Sequence, residues 1–187
     1  VIIKNLDASE QWMIDSSQIT GNAGGTLMFN TDAEYVASNQ FDVPTASLIK
    51  IKTAGNVNVN TQEFICYAFH SVDGFSKVGS YTGNGSSGST DGTFVCTGFR
   101  PAYVLIKRTN SAGQQAPIYD SARDTYNETV HSLKSQSATA EQDNQGSLDF
   151  LSNGFKLRNN EGSTNSDGGI YIYLAFAETP FKYSNAR

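Results

Sequence analysis

Apolar residues along the chain fall into short runs, each closed within a few positions by a polar or glycine-rich stretch. Residues 1–4 (VIIK), 12–15 (WMID) and 26–29 (TLMF) read as three strands, joined by a polar turn over 5–11 and a loop at 21–25 (GNAGG). Residues 48–52 (LIKIK) alternate with period two, which predicts a strand with one buried face and with Lys50 and Lys52 in solvent. Residues 63–70 (EFICYAFH) are apolar on both faces, which predicts a central strand covered from either side. The glycine-rich segment 79–92 reads as a loop, after which 93–96 (TFVC) and 102–107 (AYVLIK) restart strands. Segments 147–151 (SLDFL) and 155–157 (FKL) flank Asn153-Gly154, a pair whose tolerance of positive φ predicts a tight hairpin turn. Residues 31–40 read as a helical turn or a loop, and 123–144 as a polar connection with room for one short helix. The longest apolar run, 170–177, has the length of a buried strand.

The pattern repeats. Residues 104–107 (VLIK) match 1–4 (VIIK), 118–121 (IYDS) match 13–16 (MIDS), and 171–175 (YIYLA) match 64–68 (FICYA), with the differences in spacing confined to polar loops. The match makes Asp15 and Asp120 equivalent and sets Cys66 against Tyr173. It predicts two repeated units, residues 1–78 and 79–187, either side by side or around one core.

Composition agrees with strands. Eleven Phe and nine Tyr lie among Thr-, Ser- and Asn-rich segments, with 17 Gly and only 4 Pro. The expected fold is all-β, an antiparallel sandwich or jelly-roll-like, lectin-like body with Greek-key connections. A net charge of −5 argues against general attraction to a phosphate backbone, so nucleic acid is not an expected partner. No apolar run approaches the roughly 18 residues of a membrane-spanning helix, and membrane insertion is not expected. Val1 is expected to be a fragment boundary or a processed end. Two cysteines do not make a disulfide framework or a zinc site, and Cys66 and Cys96 are read either as buried free thiols or as one bridge.

Candidate chemistry is sparse, and neither a catalytic set, a metal nor a cofactor is expected. No serine lies in a nucleophile-elbow pattern, and His70, at the end of an apolar strand, reads as structural. Asp15 and Asp120 could serve as the carboxylate pair of a glycosidase, though an Asp followed by Ser more often accepts backbone N–H bonds in a turn. Asp73, Asp91 and Asp167 lie in glycine-rich loops without the spacing of a calcium-binding loop. Aromatic faces beside polar groups suit sugars, which makes Trp12, Tyr119, Tyr126 and Tyr183 the candidate glycan-binding residues. The competing reading puts Trp12 and Tyr119 in the core.

The runs 79–85 (GSYTGNG), 98–109 (GFRPAYVLIKRT), 120–123 (DSAR) and 149–158 (DFLSNGFKLR), with the carboxyl-terminal 175–178 (AFAE) and 185–187 (NAR), resemble an uncharacterised domain family of bacteriophage tail-fibre-like and other virion proteins, many from marine phages. The resemblance covers nearly the whole chain. It implies a non-enzymatic structural or adhesion module exposed on the virion, in a tail fibre or receptor-binding appendage that recognises host surface glycan. The alternative is a purely structural decoration or assembly domain of a capsid or filament, joined through its edge strands. Either implies contact with other virion subunits and a homo-oligomer. The resemblance further implies that each unit begins with a GSYTGNG-type segment, which precedes Val104 but not Val1. A strand beside residues 1–4 is then expected from upstream sequence or from a neighbouring subunit.

Overall fold

The computed structural model describes residues 1–19, 25–37, 40–42, 45, 47–86, 91–141 and 146–180. These residues form twelve strands and no helix. The strands are β1 (Ile2–Asn5), β2 (Met13–Ile14), β3 (Leu27–Met28), β4 (Phe64–Tyr67), β5 (Ser76–Thr82), β6 (Phe94–Cys96), β7 (Pro101–Arg108), β8 (Pro117–Asp120), β9 (Leu133–Lys134), β10 (Leu148–Leu151), β11 (Gly154–Leu157) and β12 (Ile170–Ala177). All pairings are antiparallel, in three sheets ordered β3-β2-β1-β4, β10-β11-β6 and β5-β12-β7-β8-β9. The all-β, sandwich-like expectation is met.

The five-stranded sheet is the middle layer. Successive side chains of a strand point to opposite faces, and both faces of β12 and β7 are apolar. Val104, Ile106, Tyr171, Tyr173 and Ala175 pack against Val95, Leu148, Phe150, Phe155 and Leu157 of the three-stranded sheet. On the reverse face Ile172 meets Ile14 and Leu27, with Ile2 beside them, from the four-stranded sheet, and Ile19 from the connection after β2. The outer face of that sheet carries a third cluster, in which Ile3 and Met13 pack on Phe41 and Val57 from the connection that follows β3.

Several expectations shift. Residues 63–70 do not form a central strand: β4 is an edge strand, and Cys66 through His70 are exposed. The apolar run reflects β-propensity, which a strand carries whether it has one neighbour in the sheet or two. Residues 48–52 form a single bridge, Phe41 to Ile51, with Leu48 through Ile51 exposed on both faces rather than on one. The supposed loop 79–92 begins inside β5, because Gly79 is the residue that lets the Tyr173 ring lie across the strand, where a Cβ would come within 2.6 Å. The boundary proposed between residues 78 and 79 thus falls within β5. Cys66 and Cys96 are free but exposed, not buried or bridged. The described part of 31–40 is a loop with a bridge from Val36 to Thr26, one of its two readings, and that of 123–144 holds turns and β9 in place of a helix.

The hairpin at 148–157 is present, with its turn one residue earlier than expected. Leu151 pairs with Gly154, leaving Ser152 and Asn153 as the two-residue connection. Gly154 lies in β11 and serves a different need: β6 crosses so close that a Cβ there would sit 2.1 Å from the Val95 carbonyl oxygen. Register also separates the two aspartates taken as equivalent. Asp15 exchanges backbone hydrogen bonds with Val1, whereas Asp120 pairs with Tyr103, and Tyr119 takes the place opposite Val104.

Lys107 was legible only as the end of an apolar run, yet it is fully buried between the middle and the four-stranded sheets. Its Nζ donates to the Thr31 carbonyl at 2.6 Å. Burial pulls its pKa down to about 8, against a smaller opposing pull from Asp32.

Two outcomes follow. Gly154→Ala pushes β6 off β11 and is expected to cost about 1–3 kcal/mol in urea denaturation, within the range for overpacking. The unfolded Lys107 takes up its proton below about 10.5 and the folded one only below about 8, so stability rises with pH between those values and the full penalty, on the order of 3 kcal/mol, stands below about 8. Lys107→Met is expected to remove that rise, measured as urea stability against pH.

Candidate functional site

The connection between β8 and β9 is a surface loop held by several side-chain bonds. Asp120, the last residue of β8, accepts the N–H groups of Ala122 at 3.1 Å and Arg123 at 2.9 Å on Oδ1. Its Oδ2 takes the Arg123 Nε at 2.5 Å. Burial acts to raise the Asp120 pKa, but the bonds from Arg123 and Ala122 outweigh it and hold the carboxyl below its ordinary range. Arg123 also reaches Glu141 at 2.8 Å and the Ile118 carbonyl at 3.2 Å, which staples the loop to β8.

Asp124 forms the second anchor. Its Oδ2 accepts the N–H groups of Val130 and His131, both at 2.8 Å, and its Oδ1 lies 2.5 Å from His131 Nδ1. Burial would raise this carboxyl, but the His131 backbone and ring together with the Val130 N–H hold it below the ordinary value. The third anchor is Asn127, whose side-chain amide donates to the Phe150 carbonyl at 3.0 Å and accepts the Phe150 N–H at 2.9 Å, imitating a strand partner of β10. Glu128 accepts a bond from the Ser147 hydroxyl.

Between Asp124 and Asn127 stands Tyr126, 85% exposed. An apolar ring held out on a loop tied at both ends is a ready contact surface, since little conformational freedom remains to be lost on binding.

The other aromatic candidates are placed differently. Tyr119 is completely buried among Val104, Phe150 and Leu157, so its ring has no face for a sugar: it belongs to the core, as one of the two sequence readings held. Trp12 is half-buried and stacks on Tyr67 at 6.3 Å with 16° between planes, so one face of its ring is already covered. Tyr183 lies outside the described residues. The structure therefore does not assemble the four aromatics into one site. Asp15 is buried beside β2 in the four-stranded sheet, while Asp120 is committed to Arg123 in the five-stranded one. Among the described residues no three His, Cys, Asp or Glu side chains come together to hold a metal ion.

A concavity of about 250 Å³ lies at the carboxyl end of β4 and is lined by Val1, Asp15, Gln18, Ile49, Phe69 and His70. His70 Nδ1 there faces the Ser71 carbonyl at 3.1 Å. The anchors around Tyr126 were not foreseen, because Arg123, Asp124 and Asn127 act through partners up to 23 residues away. The 120–123 run held only their first member.

Stacked antiparallel sheets around a five-stranded middle sheet, with an exposed tyrosine on a pinned loop, define an all-β sandwich-like domain. By sequence the chain belongs to the family described as Domain of unknown function (DUF7483), whose model matches residues 1–180. No curated protein and no solved structure matches it.

The Asp124 anchor has a testable signature. A carboxyl whose folded pKa is depressed contributes stability above its unfolded value, near 3.9, and loses it as pH falls through the folded value. The Val130 and His131 amide resonances are expected to titrate together with a midpoint below about 3.9. Asp124→Ala, which leaves three donors without their partner, is expected to lower stability by about 1–3 kcal/mol.

Proposed function

We propose that the chain is a non-enzymatic module of a bacteriophage virion, part of a tail fibre or receptor-binding appendage, and that it recognises host surface glycan through the loop bearing Tyr126. One observation carries the reading: an 85%-exposed tyrosine presented by a loop whose backbone is fixed on either side. A flat ring with a polar edge stacks on the apolar face of a sugar, and nearby amide and imidazole groups bond its hydroxyls. Asn127 and His131 lie in the same loop, and the His131 side chain is partly exposed. The likeness of the 79–85, 98–109 and 149–158 runs to phage virion proteins supplies the biological setting.

The test is a glycan array, with host-cell binding as a second readout, using the intact chain and Tyr126→Ala. At 85% exposure this substitution is expected to leave stability within about 0.5 kcal/mol, while binding falls at least tenfold. Absence of glycan or cell binding by the intact chain at any oligomeric state, or unchanged binding by the variant, sinks the reading. A particle location inside the capsid shell would favour an assembly role instead.

A further inference from the structure

The middle and four-stranded sheets are built on the same plan up to one point. In chain order β1, β2, β3, a hairpin-like segment around the Phe41–Ile51 bridge, and β4 correspond to β7, β8, β9, the β10–β11 hairpin, and β12. The sheet orders β3-β2-β1-β4 and β9-β8-β7-β12 agree strand for strand. Beyond β12 the middle sheet continues with β5, and beyond β11 the three-stranded sheet continues with β6. Among the described residues nothing pairs with the outer edge of β4 or of the segment containing Ile51.

The hydrogen-bond phase matches as well. Leu6 N–H donates to Glu63 O at 2.9 Å, so by the alternation of an antiparallel ladder the backbone groups of Phe64, Cys66 and Ala68 turn outward. Thr109 N–H donates to Ile170 O at 2.8 Å, so those of Tyr171, Tyr173 and Ala175 turn to β5. The corresponding side chains differ in environment. Tyr173 is 5% exposed and Ala175 fully buried, while Cys66 and Ala68 are exposed. Of the eleven large exposed apolar side chains among the described residues, five lie on these two edges: Leu48, Ile49, Ile51, Tyr67 and Phe69.

The edge of β5 shows how this protein finishes a sheet that ends. The Ser71 hydroxyl accepts the outward Val78 N–H at 3.1 Å and donates to the Val78 carbonyl at 3.3 Å, and Ser76 bonds Val72. Among the described residues the edge of β4 has no such cap, and Phe64 through Phe69 carry no charge, proline or bulge to deter pairing.

We propose that this open flank is completed by an extended two-strand segment with the chemistry of β5 and β6, supplied in cis by polypeptide joined ahead of Val1. One strand runs antiparallel to β4 and the next beside Ile51. The source follows from chain order, because β5 and β6 are consecutive and lead directly into β7, whose counterpart is β1. This flank is separate from the Tyr126 loop, so the inference stands or falls apart from the proposed function.

The probe is the chain's own residues 76–103, with Cys96→Ser in both probe and chain so that Cys66 is the one thiol. The segment is added as a free peptide and, separately, fused ahead of Val1, and the rate of Cys66 modification by a disulfide reagent is measured. In the fused form the rate is expected to fall at least tenfold, independently of protein concentration. No slowing in either form overturns the proposal, and the free-peptide arm, which uses the unfused chain, covers the case of a fusion that does not fold. Protection by the free peptide but not in a fusion that circular dichroism shows to be folded overturns supply in cis. Formation of a Cys66-linked dimer by the unfused chain on mild oxidation at micromolar concentration assigns the flank to a second copy and also overturns it.

Discussion

Strand β12 is apolar on both faces and has to be covered twice. Tyr171, Tyr173 and Ala175 on one side and Ile172 on the other each require a layer, and those layers are the three-stranded and the four-stranded sheets. Burial of this kind is non-directional and proportional to area, so it decides that sheets stack without deciding their alignment. Alignment comes from close approaches that only glycine permits: Gly79 beneath the Tyr173 ring and Gly154 against the Val95 carbonyl. The aromatic cluster of Tyr81, Phe155, Tyr171 and Tyr173 is assembled around those two positions, with ring centroids 5.0–6.3 Å apart. Burial inside it drives the tyrosine hydroxyls away from ionisation, with Tyr173 raised to about 12.

Against this interior the Tyr126 loop is held by polar bonds. It buries little apolar area, and its order rests on two carboxylates and one amide that take up backbone N–H groups which would otherwise compete for water. Such anchoring fixes a loop without committing its exposed ring to the core. The result is a stiff scaffold of sheets that holds an exposed ring on one of its connections.

Much of the fold was legible. Short apolar runs closed by polar turns specify strands, and 10 of the 12 strands overlap runs read as strands or hairpins, the exceptions being β5, whose residues 79–82 were read as a loop, and β9. Errors occurred where an apolar run does not reveal what lies beside it. Residues 63–70 and 170–177 look alike in sequence, but one is an edge and the other a centre, because strand pairing partners come from remote sequence. Gly79 and Gly154 were read as turn residues because a glycine's local meaning is positive φ, whereas here it is a neighbour's proximity. Of the candidate site, Tyr126 was named as an aromatic in a polar stretch. Its distinction from Tyr119, seven positions earlier and wholly buried, could not be read from residue type.

The sequence by itself determined that this chain builds antiparallel sheets, with 171–175 as a core strand and Asn153-Gly154 at a hairpin, since these depend on periodicity and on the conformational range of single residues. Only the tertiary structure decided which of two similar strands is enclosed, which tyrosine meets solvent, and that Lys107 is buried while Cys66 is not. Burial is a property of what packs against a residue, and those neighbours are brought together by the folded chain from segments far apart along it.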